Sequence, residues 1–146
     1  MKILTEKNFS KLKEIIKKSK GDLIFSSNDD EFNRKVIEKL PIHTLLINQL
    51  HRKDYSKQRN SGFNQVMAKI AKKAKISIGI NLDEIIESKG SKKAKILARI
   101  KQNIKLTNKN KIKMKFISLK FKKDERDLKA LGLALGMPTW MTKNIF

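Results

Sequence analysis

The fold is decided by residues 61–80, which read SGFNQVMAKIAKKAKISIGI. In the first part of this stretch, apolar residues from Phe63 to Ala74 recur at the spacing of one helix face, and Ser61 can cap that helix. In the last part, residues 76–80 place isoleucine at every second position, which is typical of a β-strand. A helix followed at once by a strand is the repeating element of a parallel sheet with helical crossovers.

The same alternation extends outward in both directions. Continuous apolar runs at 23–25 and 44–47 predict strands that are buried on both faces, and further strands are predicted at 2–4 and 114–118. Helix caps are predicted at Thr5 and at Asn28 or Asp29. A last helix is predicted to begin with Asp124 and Asp127, which favour its dipole, and to end at Gly136. We therefore predict a single α/β domain over residues 1–146, built on a parallel sheet with helical crossovers.

Two helices carry predictions about which residues lie inside the protein. The helix predicted at 91–108 has an apolar arc that consists of Ala94, Leu97, Ile100 and Ile104. Its opposite, solvent-facing arc consists of Lys92, Lys95, Arg99, Gln102 and Asn103. The helix at 128–135 is apolar on nearly every side, so it lies either in the core or against a partner.

The chain is strongly basic. Its 146 residues include 35 Lys and Arg against 14 Asp and Glu, for a formal net charge of +21. An AT-rich genome explains why most of these cations are Lys, but it does not explain why acids are scarce. Residues 88–123 contain 14 cations and no acid. We therefore expect this segment to face a polyanion, with nucleic acid favoured over an anionic membrane or a merely solvated face.

Several classes of function are excluded by residue types that are missing or scarce. The sequence has no Cys, which excludes a disulfide, a thiolate nucleophile and a zinc site with sulfur ligands. A metal-dependent hydrolase needs several His and carboxylate ligands, and the only His residues are His43 and His51. No apolar run approaches the ~20 residues that span a bilayer, so we expect a cytoplasmic protein with no membrane partner.

Seven cations are the candidate RNA contacts. They lie in a polar, flexible loop at 51–60 and on the solvent face of the helix at 91–108, namely Arg52, Lys53, Lys57, Arg59, Lys92, Lys95 and Arg99. Such side chains neutralise phosphates and release counterions. For any single Lys, an ordinary solvated charge is the default interpretation. Tyr55 lies within the basic loop, where it could stack on a base or be an incidental exposed side chain.

Several stretches together resemble one family. Residues 60–71, NSGFNQVMAKIA, resemble the signature D-S-G-[LIF]-[ND]-[HQ]-V-L-A-K-x-A of archaeal ribonuclease P protein component 3, the counterpart of the thirty-kilodalton subunit of the eukaryotic enzyme. Residues 94–103 are similar to the family's R-A-R-x-L-x-x-x-R-x-N helix. Residues 127–137, DLKALGLALGM, are similar to D-L-x-A-L-x-x-x-L-G-M, and residues 22–38 resemble the family's strand-plus-helix opening. These matches follow the family's order along most of the chain.

The resemblance implies a TIM-like (β/α) barrel. Because the sequence begins one strand into the family's fold, we expect a truncated barrel of about five to six strands, with an open edge that a partner would cover. The sequence departs from the family's pattern at residues 118–120, where Ser-Leu-Lys replaces the small-residue turn S-G-A, and at two further positions. Asn60 stands where Asp is usual, and Gly79 stands where Glu is frequent, so two carboxylates are missing near the strand ends.

The resemblance also implies a function. It identifies a protein subunit of ribonuclease P, which assists the RNA subunit in removing the 5′ leader from precursor tRNA. The RNA with its bound Mg²⁺ then performs the hydrolysis, so the protein needs no cofactor, catalytic residue or metal ligand. The implied partners are ribonuclease P RNA, precursor tRNA and another ribonuclease P protein subunit. Two alternatives stay open: a general basic RNA chaperone, and a degenerate metal-dependent phosphoesterase.

Overall fold

The computed structural model describes residues 2–143 and residue 145. Five strands alternate with helices along the chain. The strands are β1 (Lys2–Leu4), β2 (Leu23–Ser26), β3 (Thr44–Ile47), β4 (Ser77–Asn81) and β5 (Met114–Ile117). The helices are α1 (Phe9–Lys18), α2 (Asp30–Lys39), α3 (Gln65–Ala74), α4 (Leu82–Glu87), α5 (Gly90–Lys109), α6 (Glu125–Ala134) and α7 (Thr139–Thr142).

The strands form one parallel sheet in the order β1-β2-β3-β4-β5. Parallel neighbours that are consecutive in the chain need a crossover, and the helices between the strands supply it. Parallel strands in unbroken chain order are also the arrangement of a TIM barrel. Here the sheet is open, because β1 and β5 each pair with one strand among the described residues. The predicted truncated α/β architecture is confirmed, with five strands.

Both faces of the sheet are buried. The main core lies between the sheet and the helices and includes Phe25 and Leu45. Their chain neighbours Ile24 and Leu46 belong to a second, smaller cluster with Ile117. Because side chains alternate along a strand, this second cluster lies on the opposite face, which is the interior of a barrel. Burial on both faces explains why β2 and β3 are continuous apolar runs.

The helix caps are partly as predicted. Asp29 caps α2 by accepting hydrogen bonds from two backbone N–H groups, as expected. The caps of α1 and α3 are Asn8 and Asn64, so both helices begin three residues later than the predicted caps Thr5 and Ser61 allow. Each Asn side chain accepts a hydrogen bond from the N–H three residues further on, which the carboxamide oxygen does well.

The α6 helix begins where predicted, and Asp124 caps it by accepting a hydrogen bond from the Arg126 N–H. Gly136 follows its end with φ +101° and donates its N–H to the Leu133 carbonyl, which is the predicted glycine stop. The sequence predicts this apolar helix either in the core or against a partner. One of its faces lies in the core, where Leu128 and Leu135 are buried. The other face leaves Leu133 51% exposed.

The long helix α5 is rotated about its axis relative to the prediction. Its buried face consists of Ile96, Arg99, Ile100, Asn103, Ile104 and Thr107. Ala94, predicted to be inside, is exposed, whereas Arg99 and Asn103, predicted to be outside, are buried. Lys92 and Lys95 are exposed as predicted. The rotation has a physical cause, since polar groups from another part of the chain meet Arg99 and Asn103 on the inner face.

Candidate nucleic-acid interface

The carboxyl ends of the strands, where TIM-barrel enzymes carry their active sites, are joined here by neutral side chains. Asn81 at the end of β4 donates from Nδ2 to Asn48 Oδ1 over 2.9 Å. Asn48, which follows β3, in turn donates from Nδ2 to Ser26 Oγ over 3.0 Å. Amides that bond to one another in this way offer neither a general base nor a strong metal ligand.

The acidic side chains beside this row are already engaged. Glu84 accepts hydrogen bonds from the backbone N–H groups of Gln49 and Leu50, at 2.8 and 2.7 Å. Asp83 accepts a hydrogen bond from the Ser118 hydroxyl. Throughout residues 2–143 and 145, no three His, Asp or Glu side chains are grouped so that they could hold a metal ion.

His43 and Gly79 are two of the positions that bear on the phosphoesterase alternative. His43 is at the amino end of β3, where its Nδ1 accepts a hydrogen bond from the Leu23 N–H at 3.0 Å. At Gly79 an added Cβ would lie 2.6 Å from Ile117 Cδ1 and 3.3 Å from the Leu46 backbone. A carboxylate therefore does not fit at 79 while Ile117 fills this space. The constellation that the phosphoesterase alternative requires is not assembled by the described residues.

The segment between β3 and α3, residues 48–61, is a long loop whose two ends are tied down, and we call it the clamped loop. Arg52 makes the first tie. Its Nη1 and Nη2 donate to the two carboxylate oxygens of Asp30 at 2.8 and 2.9 Å, and its Nε donates to the Asn48 carbonyl at 2.6 Å. The Arg52 side chain is only 9% exposed. These contacts attach the loop to the start of α2.

Arg99 makes the second tie, from α5. Its Nε donates to Asp54 Oδ1 at 2.9 Å, and its two terminal nitrogens donate to the carbonyls of Gln49 and Arg52, both at 3.0 Å. Arg99 is 4% exposed. Both arginines are among the predicted RNA contacts, and the structure corrects the expectation that they lie in solvent. The guanidinium groups point inward because loop carbonyls and carboxylates satisfy their donors.

The tie between Arg99 and Asp54 is ionised at neutral pH. The hydrogen bond from Arg99, together with one from the Asn60 backbone N–H at 3.0 Å, holds the pKa of the Asp54 carboxyl below its ordinary value of 3.8. The attraction therefore persists across the physiological pH range and weakens only in acid. The loop predicted to be flexible is thus held in place by two arginines.

The third tie closes the far end of the clamped loop at Ser61. Gln49 Nε2 and Asn103 Nδ2 both donate to the Ser61 carbonyl, at 2.8 and 3.1 Å. The next residue, Gly62, has φ +76°, and a Cβ there would lie 2.3 Å from Arg52 Nη2. The glycine of the N-S-G-F motif therefore makes room for the arginine that ties the loop to α2.

Between the clamped loop, the start of α3 and the C-terminal half of α5 lies an open cleft of about 580 Å³, which we call the basic cleft. Three exposed cations line it: Arg59, Lys105 and Lys109. Its one acidic lining residue, Asp30, is paired with Arg52. Among the ion pairs of the described residues, none involves the three lining cations. The three lining cations are therefore in no ion pair, and Asp54, the carboxylate that interacts with Arg59, is already paired with Arg99.

The other predicted contacts lie elsewhere on the surface. Lys53 and Lys57 are exposed on the clamped loop, and Lys95 is exposed on α5. Lys92 lines a separate cleft of about 730 Å³ at the strand ends. At 1.5 Å per residue, Lys92 and Lys105 are about 20 Å apart along α5. The predicted cations therefore do not form one compact patch.

The sequence interpretation did not single out Lys105 and Lys109, which line the basic cleft. A usable signal was present, because Gln102, Lys105 and Lys109 recur at the three- and four-residue spacing of one helix stripe. This spacing alone does not indicate an interface, because the sequence does not show that the clamped loop, about fifty residues earlier, lies opposite the stripe.

The fold and the surface define a class of protein: a truncated parallel (β/α) barrel with neutral strand ends and a basic cleft beside the sheet. No family model matches the chain. The chain does match curated relatives, which are archaeal. Ribonuclease P protein component 3 of Methanosarcina acetivorans is 32% identical over 109 residues, which are 73% of this chain and 43% of the relative. The same component of Methanosarcina mazei is 30% identical over an equal span.

A solved structure agrees with these relatives. A chain in the cryo-EM structure of archaeal ribonuclease P with mature tRNA shares the fold with a TM-score of 0.80 and 22% identity, over 97% of this chain and 62% of that chain. The resemblance inferred from the sequence is thus confirmed: the protein is a homologue of archaeal Ribonuclease P protein component 3. The chain spans less than half the length of the curated relatives it matches.

No helix in the described part of the chain combines the length and apolar character needed to cross a membrane.

Proposed function

We propose that this protein is a protein subunit of ribonuclease P that assists the RNA subunit in removing the 5′ leader from precursor tRNA. The observation that carries the proposal is its 32% identity to Ribonuclease P protein component 3 of Methanosarcina acetivorans, over 73% of this chain. The +21 formal charge supports it, because a subunit of a ribonucleoprotein must lie against a dense array of phosphates.

The physical role follows from that charge. Folding a large RNA brings phosphates close together, and exposed Lys and Arg side chains reduce their repulsion, as Mg²⁺ does. We assign this role to the exposed cations of the clamped loop and α5, namely Lys53, Lys57, Arg59, Lys92, Lys95, Lys105 and Lys109. Arg52 and Arg99 support it indirectly by holding the loop. The partners are ribonuclease P RNA, precursor tRNA and a second ribonuclease P protein subunit.

In this proposal the chemistry belongs to the RNA. Hydrolysis of the phosphodiester uses Mg²⁺ bound by the RNA subunit, and the protein binds no cofactor of its own. The neutral row that joins Ser26, Asn48 and Asn81 fits such a division of labour, because it supplies no group to activate water. A cytoplasmic location forms part of the same proposal.

Reconstitution tests the proposal. Ribonuclease P RNA and the other protein subunits of the source organism are mixed with precursor tRNA at graded Mg²⁺, with and without this chain. We expect the chain to lower the Mg²⁺ concentration at which cleavage is half-maximal. A triple variant with Arg59, Lys105 and Lys109 changed to Gln should lose most of that effect. The matched control changes three exposed lysines of α1, Lys11, Lys13 and Lys17, to Gln.

The alternatives give different results in the same experiment. Cleavage of precursor tRNA by the protein alone, abolished by a chelator, would replace the proposal with a metal-dependent phosphoesterase. Equal binding of unrelated RNAs, with no change in the cleavage rate at any Mg²⁺ concentration, would replace it with a general RNA chaperone.

A further inference from the structure

We propose that the basic cleft seats one unpaired nucleotide of an RNA strand, with its base against Tyr55 and its neighbouring phosphates on Arg59, Lys105 and Lys109. This inference rests on the proposed function and names the kind of RNA that the cleft binds. Recognition of unpaired RNA commonly combines an aromatic platform for the base with cations for the backbone.

Tyr55 is exposed on the clamped loop, next to a residue that is anchored. It follows Asp54, which Arg99 and the Asn60 N–H hold in place at 2.9 and 3.0 Å. The ring is 60% exposed and lines the cleft. In the described residues, its ring has no aromatic partner, and its hydroxyl takes part in no hydrogen bond with another side chain. The exposed Tyr55 ring, next to an anchored residue, is therefore available for stacking.

The cations of the cleft come from two elements. Arg59 lies on the clamped loop, whereas Lys105 and Lys109 are one turn apart on α5. A strand that passes Tyr55 thus meets positive charge from the loop and from the helix. Because the carboxylate of Asp30 is held by both terminal nitrogens of Arg52, little negative charge opposes the phosphates.

Amide side chains in the cleft can pair with the edge of a base. Gln58 lines the cleft and makes no side-chain hydrogen bond within the described residues. Gln102 donates only one long hydrogen bond, 3.4 Å, to Ser61 Oγ. Each carboxamide can donate and accept at once, which suits the hydrogen-bonding edge of an unpaired base.

The aromatic ring favours an unpaired strand over a duplex. Lysines and arginines alone would bind either form, since both carry phosphates. Within a duplex, however, the faces of the bases are stacked on one another and their pairing edges are occupied. A Tyr ring and free amides inside a cleft have no partner on such a surface, whereas an unpaired base meets all of them.

Fluorescence anisotropy tests the inference with the whole chain and two labelled probes. One is an unstructured single-stranded RNA of roughly ten nucleotides, and the other is the duplex formed with its complement. Base–aromatic stacking is worth ~1–3 kcal/mol, so Tyr55→Ala should weaken binding of the single strand about 5- to 150-fold. Tyr55→Phe keeps the ring and should bind within about twofold of wild type. Duplex binding should be unchanged in both variants.

Leu133→Ala, at an apolar side chain on α6 that is 51% exposed, is the control and should bind the single strand as wild type does. Urea unfolding checks that Tyr55→Ala remains folded. In addition, the triple variant of Arg59, Lys105 and Lys109 should reduce the slope of log K against log salt by about 0.7 for each lost phosphate contact.

Two results would overturn the inference: single-strand binding that survives Tyr55→Ala, or duplex binding that falls with it by the same factor. Either result can occur while the wild-type chain still lowers the Mg²⁺ requirement of ribonuclease P. In that case the inference that the cleft binds an unpaired nucleotide is wrong, and the proposed function stands. If Tyr55→Ala loses single-strand binding but the wild-type chain has no effect on ribonuclease P, the cleft's ligand stands and the proposed function is wrong.

Discussion

Replacing Arg99 by Met tests whether this residue holds the clamped loop or contacts RNA. Met has a similar length and no donor, so the variant removes three hydrogen bonds, to Asp54 and to the carbonyls of Gln49 and Arg52. Breaking one partner of a buried ion pair costs ~3–5 kcal/mol. Asp54 keeps 29% of its side chain exposed and can rehydrate, which places the expected loss at the lower end, about 3 kcal/mol.

Urea and thermal unfolding measure this loss. For a chain of this size, about 3 kcal/mol corresponds to a fall of ~6–12 °C in the melting temperature. Lys95→Gln on the exposed face of the same helix is the control, and its effect should stay within ~0.5 kcal/mol. The reasoning fails if Arg99→Met loses less than about 1 kcal/mol. Arg99 instead contacts RNA directly if the variant's stability is unchanged while the slope of log K against log salt falls by the amount expected for one phosphate contact.

Three further predictions concern single positions. Because the pKa of Asp54 is lowered, its contribution to stability is present above the ordinary carboxyl value of 3.8 and is lost as the pH falls through the lowered one. In urea titrations the stability gap between wild type and Asp54→Asn should therefore be full at about pH 6 and close in strong acid; a gap that does not change with pH contradicts the ionic tie. Gly79→Ala should cost ~1–3 kcal/mol by overpacking, and Ile117→Val should recover part of it; strictly additive effects would show that the two positions do not touch. Asp30→Asn leaves Arg52 without its two-oxygen partner, so hydrogen exchange of the clamped-loop amides should accelerate; unchanged protection would mean that the Asn48 contact alone holds the arginine.

The sheet could be predicted from the sequence because its signals are local. The apolar runs that form β2 and β3 are buried on both faces, and no distant residue changes that interpretation. The cap at Asp29 was equally local. The caps of α1 and α3 were misplaced because Thr5 and Ser61 are as competent by type as Asn8 and Asn64, and only tertiary packing selects between them.

The interface could be predicted only in part. Hydrophobic periodicity assumes that charged residues face water, which failed on α5 because the inner partners of Arg99 and Asn103 come from a loop some forty to fifty residues earlier. The same long-range pairing brings Tyr55 and Lys109 to one cleft. The composition therefore indicated that a polyanion binds, whereas the tertiary contacts were needed to decide which cations are free to bind it.

The contact between Gly79 and Ile117 also constrains how this sequence can change. A methyl group at 79 would lie 2.6 Å from Ile117 Cδ1, so a larger residue at 79 is better tolerated when the side chain at 117 is smaller. A change to the glutamate frequent in the family therefore goes together with a smaller residue at 117, which alone would leave a void beside Gly79. Positions 79 and 117 are thus coupled, and a substitution at either one alone lowers the stability of this chain.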